Sequence, residues 1–183
     1  MRTKVILILS VLMLSATDAE AQPKVVELVK NESSITYRIV HPLHEIEATS
    51  KDATFRLEID PAKREIINVS TTVDVTTFDS GNSNRDSHAM EVIDAISFPE
   101  VTFQSSAITQ VGDSLVVKGK LTFHGVTQEI VAGAATLWSP DRLEVRGGFT
   151  LSLTAFKIER PSLLIIPVED ALRFTFTQVF AVH

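Results

Sequence analysis

Cysteine is absent from all 183 residues. That excludes disulfide staples, thiol redox chemistry and a lipid-modified cysteine at a processing site. One tryptophan and one tyrosine accompany ten phenylalanines, so the aromatic side chains bring few polar handles. Lys and Arg number 17 against 23 Asp and Glu, for a formal net charge of −6, and no basic cluster tracks along the chain. Nucleic acid is therefore not an expected partner. The chain has no G-x-S-x-G elbow, no H-E-x-x-H, no phosphate loop and no dinucleotide fingerprint. Ser87 beside His88 is adjacency in sequence, which is not the geometry of a nucleophilic triad. No cofactor and no metal are called for. His41 and His44 flank Pro42-Leu43, and His124 stands far off in sequence. Zinc wants three or four converging ligands, so these histidines read as solvated or capping groups. There is no internal repeat and no low-complexity segment.

What is present begins with a segment set apart from the rest. Arg2 and Lys4 precede an apolar run from Val5 to Ala16, and Ala19-Glu20-Ala21 fits an A-x-A cleavage site. The run is too short to span a bilayer comfortably. Residues 1–21 read as a cleaved signal peptide, leaving residues 22–183 as one domain in the periplasm or secreted. No stable membrane insertion is expected after cleavage. The charged residues removed, Arg2, Lys4, Asp18 and Glu20, cancel, so the charge stays acidic. An exported chain without disulfides must be held by its core alone.

Beyond the leader the chain alternates apolar and polar residues, as half-buried strands do. Ser34 to Val40 sets Ile35, Tyr37 and Ile39 against Thr36 and Arg38, and His41-Pro42 ends it. Phe55, Leu57 and Ile59 share one face of the next strand. Glu65 to Thr77 reads as the longest strand, with Ile67, Val69, Val73 and Val75 on one face. Val101 to Ile108 leads through a turn at Val111-Gly112-Asp113-Ser114 into a row of Leu115, Val117, Leu121 and Phe123. Gly125 turns the chain into 127–136. Leu143, Val145, Phe149, Leu151 and Leu153 form one later row, and Leu172, Phe174, Phe176 and Phe180 the last. Trp138 falls at a turn, and 159–162 reads as a loop folded over a barrel end, with Lys157 or Arg160 near any polar ligand group. About eight antiparallel strands of this length point to an all-β fold closed as a barrel rather than a sandwich.

One stretch, Thr77 to Pro99, breaks the alternation. Asp79-Ser80-Gly81-Asn82 is a turn cluster, and Asn82, Ser83 or Asn84 can cap a helix. Ala89, Met90, Val92, Ile93 and Ile96 follow at helical spacing until Pro99 stops it. This single short helix is placed to cover one end of the barrel. Asp86 near its N-terminus complements the helix dipole, with Arg85 as its neighbour.

The same stretch carries a resemblance. Thr77-Phe78-Asp79-Ser80, then Arg85-Asp86-Ser87-His88, then Phe98-Pro99-Glu100-Val101-Thr102-Phe103 resemble the signature of the YceI-like family of bacterial secreted lipid-binding proteins. Gly119-Lys120-Leu121-Thr122-Phe123-His124-Gly125-Val126-Thr127 is similar to a second family segment. The two cover Thr77 to about Ala132, and the flanks agree only in strand pattern. His41-Pro42-Leu43-His44 departs from the commoner family pattern at the entrance.

Composition and spacing leave the interior open to two readings: Phe149, Phe174 and Phe176 plug it, or it holds one ligand. The resemblance implies the second, an elongated lipocalin-like barrel with a long apolar tunnel for an isoprenoid or acyl chain. On that reading the lining is Val69, Val73, Val75, Phe78, Met90, Phe103, Leu121, Phe123, Phe149, Leu151, Phe174 and Phe176. Arg85 and His88 would meet the head group at the mouth. The expected activity is non-enzymatic carriage or sequestration of a polyprenyl compound, isoprenoid quinone or fatty amide. The alternatives are a small barrel enzyme using Asp86 and His88 as an acid/base pair, and a structural protein with a filled core. Oligomeric state is left open, a homodimer included.

Overall fold

A computed structural model describes residues 22–163 and 165–182. The proposed signal peptide, residues 1–21, lies outside the described residues.

Among the described residues, twelve strands and one α-helix follow the chain. They are β1 Lys24–Leu28, β2 Ser34–His41, β3 His44–Ser50, β4 Thr54–Asp60, β5 Glu65–Asp74, α1 Ser83–Val92 and β6 Glu100–Val111. β7 Ser114–Phe123, β8 Val126–Ser139, β9 Arg142–Ser152, β10 Ser162–Leu163, β11 Ile166–Pro167 and β12 Ala171–Ala181 complete the order. Neighbours pair antiparallel in the order β1-β4-β5-β6-β7-β8-β9-β12, and β12 returns to β1 at Glu27↔Ala181 and Leu28↔Phe180. The result is a closed eight-strand antiparallel barrel, so no long edge is left along the ring.

Two positions in the ring are broken strands. β1 and β2 both pair with β12, at its end and at Arg173–Thr177 respectively. Between them a single tight turn, Lys30–Glu32, interrupts the line. Buried Ser33 stitches the break: its hydroxyl donates to the Val29 carbonyl and accepts the Val179 N–H. β3 pairs with β2 as β4 pairs with β1. The far edge of β3 meets only a bridge, Thr49↔Asp79, before the wall opens. α1 and its flanking turns fill that opening, and Met90, Val92 and Ile93 pack against the core there.

The longest strand is β8, with 14 residues, and not Glu65–Thr77. β5 ends at Asp74 because the Asp74 carboxylate accepts the Thr76 N–H at 2.8 Å and turns the chain out of the sheet. Within β5 a bulge against β4 shifts the register at Glu58/Ile59. It puts Ile66 into the core and leaves Ile67 44% exposed, so Ile67 does not share the face of Val69. Ile96 follows the helix, which stops at Val92, and is 97% exposed. Trp138 belongs to β8, one residue before its end, and packs on the core. The β7–β8 hairpin turns on His124 and Gly125, both with positive φ, the geometry that matches strand twist.

The core runs along the barrel axis in two large clusters. One holds Leu57, Ile59, Leu115, Leu143 and Phe180. The other holds Val75, Phe123, Leu151, Phe156 and Leu172 beneath α1. Burying one such side chain contributes about 1.5–3 kcal/mol, which is what replaces disulfides here.

Candidate ligand-binding site

The turn before α1 explains the Arg-Asp pair. Asn82 caps the helix, its side-chain oxygen accepting the Arg85 N–H at 3.1 Å. The Asp86 carboxylate reaches back to accept the Ser80 N–H at 3.2 Å. Arg85 donates from Nε to the Ser80 hydroxyl at 2.9 Å and from Nη2 to the Ser80 carbonyl at 3.1 Å. Both charged residues therefore clamp Ser80, and they fix the angle at which the helix leaves the sheet. His88 lies one turn on, its side chain 66% exposed and facing Glu91 at 3.7 Å.

Beneath the helix the barrel is hollow. An outer chamber of about 530 Å³ is bounded by α1, by β2 and β3, and by the excursion carrying β10 and β11. An inner chamber of about 100 Å³ continues along the barrel. The two share the walls Ile35, Val73, Val101, Leu121 and Phe149. The inner chamber exists because its inward positions are uneven in size. Ala132 and Ala134 face in from β8. The Phe103 ring lies over Gly119 and the Phe176 ring over Gly147, where a Cβ would collide with each ring.

The residues expected at a lining divide between the two chambers. Val75, Phe78, Arg85, His88, Met90, Phe123, Leu151 and Phe174 line the outer one. Val69, Phe103 and Phe176 line the inner one, and Val73, Leu121 and Phe149 border both. Phe149 and Phe174 stack with ring centroids 4.8 Å apart, so they stand along the wall.

Sequence reasoning missed the row Ile35, Tyr37, Ile39 and His41 as a wall, although its alternation was visible. It also missed β3, whose Ile46 and His44 complete the outer chamber. His41 is buried; its Nδ1 accepts the Leu43 N–H at 3.1 Å and its Nε2 meets the Ile166 carbonyl at 3.0 Å. His44 packs on it with ring centroids 5.1 Å apart. His124 lies elsewhere, its Nδ1 on the Phe156 carbonyl and its ring against Phe98. Among the described residues no three His, Cys, Asp or Glu side chains gather to hold a metal. Arg160 donates twice to the Val168 carbonyl and so pins the loop whose Pro161 and Leu163 close over the outer chamber. Lys157 is exposed.

Tyr37 faces the outer chamber between Phe78 and Phe174, at ring distances of 5.2 and 6.3 Å. Burial raises its pKa above the ordinary tyrosine value; the Asp86 charge adds to this and Arg85 opposes it. The hydroxyl is therefore firmly neutral.

A model of the YceI-like domain matches residues 27–180. The chain belongs to the YceI-like family. It is 29% identical over 165 residues to a UPF0312 protein of Pseudomonas savastanoi pv. phaseolicola, covering 85% of this chain and 86% of the relative. The solved structure of Burkholderia cenocepacia BcnA superposes with a TM-score of 0.76 at 23% identity, over 84% of this chain and 99% of that one. A polyisoprenoid-binding domain from Saccharophagus degradans superposes with a TM-score of 0.61 at 11% identity, over 87% and 98%. Identities this low show a shared fold.

Proposed function

We propose that this protein binds a long apolar lipid inside the barrel and carries or sequesters it without chemistry. The observation that carries the reading is the pair of adjoining chambers, about 530 and 100 Å³, walled by aliphatic and Phe side chains. The larger falls within the range of about 300–1,000 Å³ typical of small-molecule sites. An apolar chain there is held by removing its methylenes from water, about 0.8 kcal/mol each. The polyisoprenoid-binding neighbour supports this ligand class, and a polyprenyl compound, isoprenoid quinone or fatty amide meets the requirement. The lining named above would take the chain, with Arg85 and His88 at the polar end. Residues 1–21 would direct the protein to the periplasm or outside the cell. The acid/base alternative gains nothing from the geometry: Asp86 is spent on Ser80, and His88 faces Glu91.

Native mass spectrometry of the mature protein from a periplasmic extract tests the proposal. About one lipid per chain, removed by organic extraction and regained from vesicles, is expected. A bare mass and no uptake from vesicles would leave a barrel that binds nothing. Lipid altered chemically during incubation would return the enzyme reading.

A further inference from the structure

Of the polar side chains lining the outer chamber, three are already spent, and of the others His44, Asn84, His88 and Ser162 are exposed. His41 uses both ring nitrogens on backbone partners. Asn82 caps α1, and Arg85 is held by Ser80 through Nε and Nη2. His88 stands at the exposed rim beside Glu91. Tyr37 differs. It is the only tyrosine in the chain, it stands in the inward row between buried Ile35 and Ile39, and it lines the chamber. Among the described residues its hydroxyl has no hydrogen-bond partner, whereas a buried tyrosine O–H ordinarily finds one.

A half-buried donor without a partner, set into an apolar wall, discriminates between ligands that can satisfy it and those that cannot. Resting on the lipid-binding reading, we infer that Tyr37 is a specificity-determining residue, donating a hydrogen bond to a neutral acceptor on the lipid head group. The acceptor is a carbonyl, amide or hydroxyl oxygen on a chain whose tail extends past Phe149 into the inner chamber.

Two observations favour a neutral acceptor over a carboxylate or phosphate. The Arg85 guanidinium lines the chamber but spends Nε and Nη2 on Ser80. Asp86 follows it in the same turn, and at Tyr37 the Asp86 and Arg85 charges oppose each other. An anionic head group would lose its water among apolar walls and find the Arg85 charge shared with Ser80 and opposed by Asp86 in the same turn. Phe78 and Phe174, on either side of Tyr37, supply no charge and hold the phenol ring in place.

The test uses Tyr37→Phe, which removes one oxygen and keeps the ring. Displacement of a fluorescent fatty probe from the delipidated protein is measured for octadecane, octadecanamide and octadecanoate. For octadecane the two proteins should agree. For octadecanamide the variant should bind about three- to tenfold more weakly, the worth of one neutral hydrogen bond. The parent should bind octadecanamide more tightly than octadecanoate. Equal loss for octadecane and octadecanamide would make Tyr37 a packing residue and overturn the inference. So would a parent that prefers the carboxylate, a readout independent of how well the variant folds. If the parent displaces the probe with none of the three, the lipid-binding reading fails as well. Binding of all three with unchanged ratios in Tyr37→Phe defeats the Tyr37 role alone.

Discussion

Gly119 and Gly147 decide how the Phe rings lie in the inner chamber. Opposite Gly119 the β6–β7 register slips between Ser105 and Ala107, and the Phe103 ring occupies the space a Cβ would take. The carbonyl of Gln104 crowds the same point, so an added methyl cannot be absorbed by one ring turning aside. Gly119→Ala should cost about 1–3 kcal/mol by overpacking, measured as a shift in the urea midpoint with unchanged slope. An unchanged midpoint would mean that Phe103 moves freely, and that the inner chamber is looser than its walls indicate. At this scale the sequence was legible wherever one residue made one local bond. Asn82 was among the three caps expected, and Asp86 supports the helix start as its position suggested. The second bond of Arg85-Asp86, to Ser80, joins residues five and six apart through a turn whose shape spacing alone does not specify.

Strands and the helix were read from periodicity, and the failures follow from its limits. β3 reads HEIEATS, and its inward residues His44, Ile46, Ala48 and Ser50 include only two that are apolar. His41-Pro42 was therefore read as the end of a strand, whereas Pro42-Leu43 is a hairpin turn between β2 and β3. β5 was read too long and Ile67 placed on the wrong face, because a bulge reverses the alternation without any break in composition. Elements are also tied by buried or shielded carboxylates. Asp170, just before β12, accepts the Ser152 hydroxyl at 2.5 Å and the Thr154 N–H at 2.9 Å, tying the end of β9 to the start of β12. The Ser152 hydroxyl, then the Thr154 N–H, hold its pKa below the ordinary carboxylate value, against the opposing effect of burial. A lowered folded-state pKa means stability that is present above the unfolded value, about 3.9, and lost as pH falls through the folded one. Asp170→Asn should therefore weaken the protein at neutral pH. The difference should shrink as the pH falls through the folded-state value, in urea titrations run at neutral and at acid pH. A difference that persists unchanged in acid would assign the loss to geometry rather than to ionisation. Asp60 and Asp74, whose pKa values are also lowered by hydrogen bonds, leave the parent acid-sensitive in either case.

Across the whole molecule, closure of the barrel followed from strand number and length, whereas the hollow did not. Ten phenylalanines fit a plugged interior as well as a lined one, because alternation says which side chains point inward and not how far they reach. The difference lies in long-range pairings such as Phe176 opposite Gly147, which only the register reveals. Phe176 tests the outcome directly. It borders the inner chamber of about 100 Å³ and takes no part in the outer one. In a packed interior Phe176→Trp would overpack and cost about 1–3 kcal/mol. With the chamber open, the larger ring has room to grow into it, and the thermal midpoint should stay close to that of the parent. The ligand then loses the space instead. Each methylene turned away forfeits about 0.8 kcal/mol, so affinity should fall for long chains and hold for chains short enough to end in the outer chamber. Affinity plotted against chain length, for the same head group, should rise in both proteins and level off earlier in Phe176→Trp. Parallel curves that never part, with the midpoint lowered, would show that no chain enters the inner chamber.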